Sequence, residues 1–340
     1  MSVSVKEVAE AAGVAVGTVS NVLNHPDKVS TRTRERVQGV IAELGFVRND
    51  AARQLRAGRS RTIGMIVPDV SNPFFAEVAR GAQDRASEDD MIVLLTDTEG
   101  NEKRQLAQLE LFREQRVNGV LLTPASADFP RVRDFMDHGL PVVLVDHPSA
   151  DDAPAVSVDD VEGGRLAVQH LLDGGRRRIV FVCGPTTVRQ VADRLVGARL
   201  AVDGCAGATL EVVEQGSLTV AGGAAAAIEI SARSAALRPD AIFAANDLLA
   251  IGALQVLAKD PTVQVPRDIA VVGYDDIDFA SAAAVPLTSV RQPSRRMGWT
   301  GVDLLLAGGR RSPDERQVLF RPQLVVRESS GEGLGAPSTS

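Results

Sequence analysis

The sequence predicts an α/β protein: a small three-helix head with a short hinge helix, then a two-lobed body of doubly wound sheets. Three observations predict it. Residues 1–60 show helical periodicity alone. From Arg61 onward, short apolar runs alternate with helical segments, and near-continuous apolar strands between helices indicate parallel sheets covered on both faces. That alternation occurs twice, around 61–158 and 162–289, and 340 residues exceed the roughly 250–300 that one core sustains.

In the head, Ser4-Val5-Lys6-Glu7 has the S-x-x-E form of a capping box. Val5, Val8, Ala9 and Ala12 follow at helical spacing, and Gly13 ends the run. Thr18, Val19, Val22 and Leu23 begin a second helical face. Two short helices across a tight Gly-containing turn form a helix-turn-helix, whose second helix can enter the major groove of DNA; a purely structural bundle shows the same pattern. A third helix is expected over about 31–44, with Val37, Val40, Ile41 and Leu44 facing inward and Gly45 as its cap. Ala51-Ala52-Arg53-Gln54-Leu55-Arg56-Ala57 is a short helix former, marginal alone in water, and Gly58-Arg59-Ser60 is a flexible exit.

In the body, strands are expected at 62–67, 91–96, 117–122, 141–145, 178–182, 241–245 and 269–272. Helices are expected at 75–87, 102–115 and 293–306, with a strand near 317–326 crossing back. The expected boundaries are 1–48 for the headpiece, 49–60 for hinge and linker, and 61–328 for the body. Lobe 1 takes about 61–159 and 292–322, lobe 2 about 160–291 and 323–328, and 329–340 is a disordered tail rich in Gly, Ser and Pro.

The net charge of −7 is unevenly spread. Residues 1–60 hold nine basic against six acidic residues (+3), leaving 28 against 38 (−10) for the rest. A basic head on an acidic body suits a phosphate-contacting module joined to a part with another task. Cys183 and Cys205 are too few for a disulfide framework and fit a reducing, cytoplasmic setting. No apolar run reaches the ~20 residues of a membrane helix, so no membrane partner is expected.

Val14-Ala15-Val16-Gly17-Thr18-Val19-Ser20-Asn21-Val22-Leu23-Asn24 resembles the recognition segment of the lactose-repressor (LacI-type) family of bacterial transcription regulators. Val29-Ser30 with Thr33-Arg34, Glu43-Leu44-Gly45-Phe46, and Asn49 before Ala51-Ala52-Arg53-Gln54-Leu55 match the same family in order, and the resemblance runs to about residue 328. It implies that Val16 and Gly17 face base edges, where neither offers a side-chain hydrogen bond. Thr18, Ser20, Asn21 and Asn24 then make backbone and flanking contacts, and Ser4, His25, Ser30 and Arg32 complete the DNA-facing set. Leu55 would wedge between base steps in the minor groove with Arg53 and Arg56 near phosphates; the alternative for Leu55 is plain helix packing. Ala15 stands where the family usually has serine, removing a helix cap.

The body resembles the two-lobed periplasmic-binding-protein fold, whose ligands lie beyond the carboxyl ends of the strands. Asn72, Asp97, Asp146, Arg194, Asn246, Asp275 and Gln292 fall at such ends, with Phe74 and Phe75 beside them. Carboxylates, amides, one arginine and aromatic rings suit a sugar, although Asp and Asn there also cap helices and either Phe suits a core. A nucleobase, nucleoside or phosphorylated sugar is the alternative effector, and a sugar-binding protein without a DNA role a remoter one. His25, His138, His147 and His170 lack metal-ligand spacing and are expected at the surface or at helix ends. Gly163-Gly164 and Gly222-Gly223 lack the phosphate-loop Gly-Lys-Ser/Thr. No cofactor, metal or catalytic set is expected. The expected whole is a homodimeric repressor on double-stranded operator DNA, controlled allosterically by a pentose or hexose.

Overall fold

The computed structural model describes residues 3–46, 60–125, 129–149, 152–312 and 314–331. The chain divides into two compact units, one up to Arg59 and one from Ser60 onward.

The first unit packs helices α1 (Val5–Ala12), α2 (Val16–Asn24) and α3 (Thr31–Leu44). Ser4 and Glu7 form a reciprocal box at the start of α1: the Ser4 hydroxyl accepts from the Glu7 amide at 3.3 Å, and the Glu7 carboxylate from the Ser4 amide at 2.6 Å. Gly13 and Gly45 end α1 and α3 in the left-handed conformation, at φ 61° and 60°. Val8, Val19, Val22 and Val37 interlock at the centre with Ala9 and Ala12. Leu44 departs from the expected inward stripe, at 39% exposed. The left-handed turn at Gly45 brings the Phe46 amide back to the Ile41 carbonyl, and Phe46 packs on the core in its place.

In the second unit the strands are β1 (Thr62–Val67), β2 (Ile92–Asp97), β3 (Gly119–Leu122), β4 (Val142–Val145), β5 (Ala155–Val158), β6 (Arg178–Cys183), β7 (Thr209–Glu214), β8 (Ala241–Ala244), β9 (Ala270–Asp275), β10 (Thr288–Arg291), β11 (Gln317–Phe320) and β12 (Gln323–Val325). The helices between them are α4 (Pro73–Ser87), α5 (Glu102–Glu114), α6 (Phe129–Asp137), α7 (Asp160–Asp173), α8 (Arg189–Asp203), α9 (Val220–Ser231), α10 (Asp247–Leu257), α11 (Asp278–Ala282) and α12 (Ser294–Ala307). Among the described residues the strands make two six-stranded sheets, in the orders β11-β5-β4-β3-β1-β2 and β12-β10-β9-β8-β6-β7. All pairings are parallel except β10 with β12. The single crossover strand expected near 317–326 is therefore two short ones, separated by Arg321-Pro322 and split between the sheets. Proline has no amide to donate to a ladder, which suits the break.

Residues 329–331, expected to belong to a disordered tail, are ordered. Ser329 is fully buried, its hydroxyl donating to the Val271 carbonyl at 2.6 Å and accepting from the Thr288 amide at 2.8 Å. These bonds pin residues 328–330 against β9 and β10; residues 332–340 lie outside the described residues.

Two glycines set how closely α7 and α8 cross. A Cβ on Gly197 would stand 1.9 Å from the Val161 carbonyl oxygen, and one on Gly164 2.1 Å from that of Arg194. The backbones touch directly, with the Arg194 carbonyl against Gly164. Gly197→Ala should therefore force the helices apart, costing ~1–3 kcal/mol as overpacking does. Thermal unfolding should show a midpoint several degrees lower; an unchanged midpoint would contradict the close approach.

Candidate ligand site and nucleic-acid-facing helix

On the first unit, α2 presents Val16 (45% exposed), Gly17, Asn21 and Asn24 to solvent, with Thr18 and Ser20 half-buried. Asn24 donates to the Ser20 carbonyl at 2.9 Å and to its hydroxyl at 3.2 Å, so the two side chains brace one another one turn apart. His25 and Arg32 are exposed. Ser4 and Ser30 spend their hydroxyls on helix starts, Ser30 accepting from the Thr33 amide. Ala15 begins α2 with no side-chain cap. Arg53, Leu55 and Arg56 lie outside the described residues.

On the second unit, the loops after the strands of both sheets converge. Asn72 caps α4, its carbonyl oxygen accepting from the Phe74 amide at 3.0 Å while its amide nitrogen reaches the Asp275 carboxylate, on the other sheet, at 3.5 Å. Gln292 donates to the other Asp275 oxygen at 2.8 Å. Across the same seam Gln190 donates to the Asp146 carboxylate at 3.1 Å. Arg194 is 5% exposed: it donates to Asp160 at 2.8 Å and to the Ala245 carbonyl at 2.7 Å, lies 4.0 Å from Asp275, and stacks 3.6 Å above the Tyr274 ring.

Asp97 and Asn246 stand at their strand ends but serve the backbone. Asp97 accepts from the Val70 and Glu99 amides, and Asn246 caps α10 through the Leu249 amide while donating to the Leu218 carbonyl. Phe74 and Phe75 pack edge to face, with centroids 5.0 Å apart, in the core of the first lobe. Sequence reasoning did not single out Asp160, Gln190 or Tyr274. Asp160 reads as an ordinary first-turn acid, and only folding brings it to Arg194. A signal was present in Gly163-Gly164: a Cβ on Gly163 would stand 2.1 Å from the Tyr274 hydroxyl oxygen, and Gly164 admits the Arg194 backbone. His170 lies in the last turn of α7, a helix end as expected; half-buried, it bonds Ser330 Oγ at 2.7 Å.

Burial governs the electrostatics. It opposes the Arg194 charge, but Asp160, Asp275 and Asp146 outweigh it and hold the guanidinium's pKa above its usual value. Burial, reinforced by the charge of Asp160, pushes Asp146 well above the ordinary carboxylate range. Burial likewise raises Asp275 to about 6 against the pull of Arg194 and the hydrogen bonds from Gln292 and Asn72. Among the described residues, Asp146 Oδ1 and Gln292 Oε1 are buried without a hydrogen-bond partner. Buried acceptors of that kind ordinarily have a donor.

A helix-turn-helix unit joined to a two-lobed body with a polar seam at its strand ends defines a ligand-responsive DNA-binding transcription regulator. Residues 4–49 match the model of the bacterial regulatory proteins of the lacI family, and residues 168–330 that of a periplasmic binding protein-like domain. The ribose operon repressor of Escherichia coli (strain K12) is 36% identical over 310 residues, 89% of this chain and 92% of the relative. The crystal structure of the lac repressor dimer bound to operator and the anti-inducer ONPF superposes with a TM-score of 0.80 at 26% identity, over 98% of this chain and 100% of that one. That of a LacI family transcriptional regulator from Enterococcus faecium with bound ribose gives 0.70 at 27% identity, over 81% and 100%. The chain belongs to the lacI family of bacterial regulatory proteins. Among the described residues no helix is long and apolar enough to cross a membrane, and no group of acidic, His and Cys residues forms a metal site.

The acid chemistry has a measurable sign. Asp275 titrates in the fold near 6 rather than 3.8, so the native state holds an extra proton between these values. The stabilisation this gives is complete below the lower value and lost as pH rises through the higher one. Denaturant unfolding should show stability falling between about pH 4 and 6, and Asp275→Asn should make that fall shallower. In the head, Ala15→Ser should supply the missing cap on α2 and raise stability by ~0.5–1 kcal/mol. An unmoved unfolding midpoint would count against the cap.

Proposed function

We propose that the chain is a homodimeric repressor whose grip on a pseudo-palindromic operator is set by a neutral aldopentose, D-ribose first among candidates, held between the lobes. The observation that carries this reading is the pair of buried, unpartnered acceptors, Asp146 Oδ1 and Gln292 Oε1, one after a strand of each sheet. Both lack a partner, and a sugar hydroxyl, which can donate and accept, pairs with the amide oxygen and with the carboxyl in either protonation state. Phosphate and carboxylate groups bring negative charge and would meet the acidic cluster of Asp146, Asp160 and Asp275 around the guanidinium of Arg194. The E. coli relative named for ribose and the E. faecium structure with ribose bound point the same way.

In this reading Asn72, Asp146, Arg194, Asp275 and Gln292 form the polar wall, Phe74 and Phe75 back it, and Asp97 and Asn246 fix the neighbouring loops. On DNA, Val16 and Gly17 approach base edges, Thr18, Ser20, Asn21, Asn24, His25 and Arg32 the flanks and backbone, and Leu55 with Arg53 and Arg56 the minor groove. Ligand that favours one lobe arrangement shifts operator affinity through a coupling of typically ~1–3 kcal/mol.

Thermal unfolding against sugars and bases tests this. D-ribose at a hundredfold excess over its dissociation constant should stabilise the protein by about 2.7 kcal/mol, and D-ribose 5-phosphate should not. Gln292→Leu should weaken ribose about tenfold, the equivalent of one lost hydrogen bond. A shift with a purine base and none with any sugar would overturn the sugar reading.

A further inference from the structure

Immediately behind the ligand-facing carboxylate of Asp275 lies a second, fully buried carboxylate, Asp247, on the first turn of α10. Its Oδ1 accepts from the Ser289 hydroxyl at 2.6 Å, and its Oδ2 from the Ile277 amide at 2.9 Å. Ser289 Oγ in turn accepts from the Asp276 amide at 3.0 Å. The relay thus holds the two amides that follow Asp275.

Those amides belong to an unusual piece of backbone. Asp275 and Asp276 are consecutive non-glycine residues with positive φ, 105° and 53°. Such conformations persist only where the surroundings over-determine them. The sheet makes room for the relay: Gly273, paired in register with Ser289, would carry a Cβ 2.2 Å from Asp247 Oδ1. Any side chain there would displace the carboxylate.

We infer that Asp247 and Ser289 are positioning residues for the effector: they lock the Asp275-Asp276 turn so that Asp275 holds its carboxylate against Gln292 and Asn72 at the ligand face. The inference rests on the sugar reading above. Neither residue needs to touch the ligand. Burial keeps the Asp247 pKa well above the ordinary range, with the charge of Asp275 adding to the shift. The two acids therefore sense one another, and the hydrogen bonds to Ser289 and Ile277 are what hold Asp247 in place.

The test is calorimetric binding of D-ribose to the full-length protein, with thermal unfolding recorded on every variant. In Asp247→Asn one of the two contacts meets an NH2 group where an acceptor is needed; Ser289→Ala is milder and deletes only the hydroxyl link. Each should weaken D-ribose about tenfold or more. The double variant should bind no worse than the weaker-binding single, because both break one relay. Thr288→Val is the control: it removes the neighbouring hydroxyl, which accepts from the Arg327 amide and donates to the Arg327 carbonyl. It should lower the unfolding midpoint yet leave ribose affinity within about twofold. Wild-type affinity in Ser289→Ala, or a loss in Thr288→Val equal to that in Ser289→Ala, would overturn the positioning role while leaving the sugar reading intact. Wild-type protein that binds no neutral sugar would overturn the reading and this inference with it.

Discussion

A guanidinium removed from water has to be surrounded by acceptors and negative charge, and the body of this protein is arranged around that requirement at Arg194. Asp160 and the Ala245 carbonyl take its hydrogen bonds, the Tyr274 ring covers one face, and Asp275 lies at the limit of ion-pair distance. Removing one partner from such a buried pair costs far more than the pair itself contributes, about 3–5 kcal/mol. The arrangement therefore tolerates little rearrangement within the second lobe.

At the seam between the lobes, among the described residues, Asn72 meets Asp275 at 3.5 Å, and Gln190 meets the Asp146 carboxylate at 3.1 Å and the Asp146 carbonyl at 2.5 Å. Apolar contact accompanies them, since Ile277 and Leu248 of the second lobe pack against the first-lobe core. A ligand that supplied donors to Asp146 and Gln292 would compete with, or complete, this small set of interactions. The acids of the seam have raised pKa values chiefly because burial disfavours their charged forms.

The glycines show how backbone proximity and site chemistry are joined. Gly163 and Gly164 lack a phosphate-loop pattern in sequence, and in the fold they are the absence of side chains that Tyr274 and the α8 backbone require. Gly273 does the same for Asp247.

By itself the sequence determined the helical head, the alternation of apolar strands with helices, and most of the polar residues at strand ends, because these depend on local periodicity and on which residue types cap or end an element. It also carried the family motifs. What it did not determine was which polar residues share a site. Asp97 and Asn246 stand at strand ends, and their side chains bond backbone groups; Asp160, Gln190 and Tyr274 look unremarkable, but Asp160 and Tyr274 meet at Arg194 and Gln190 reaches Asp146. Leu44 and Ser329 were misplaced for a related reason: a left-handed turn put Phe46 where Leu44 was expected, and a hydrogen bond to Val271 ordered a residue whose neighbours read as tail. Partners far apart in the chain, such as Asp160 and Arg194, are selected by burial and close packing in three dimensions, and no local pattern records that selection.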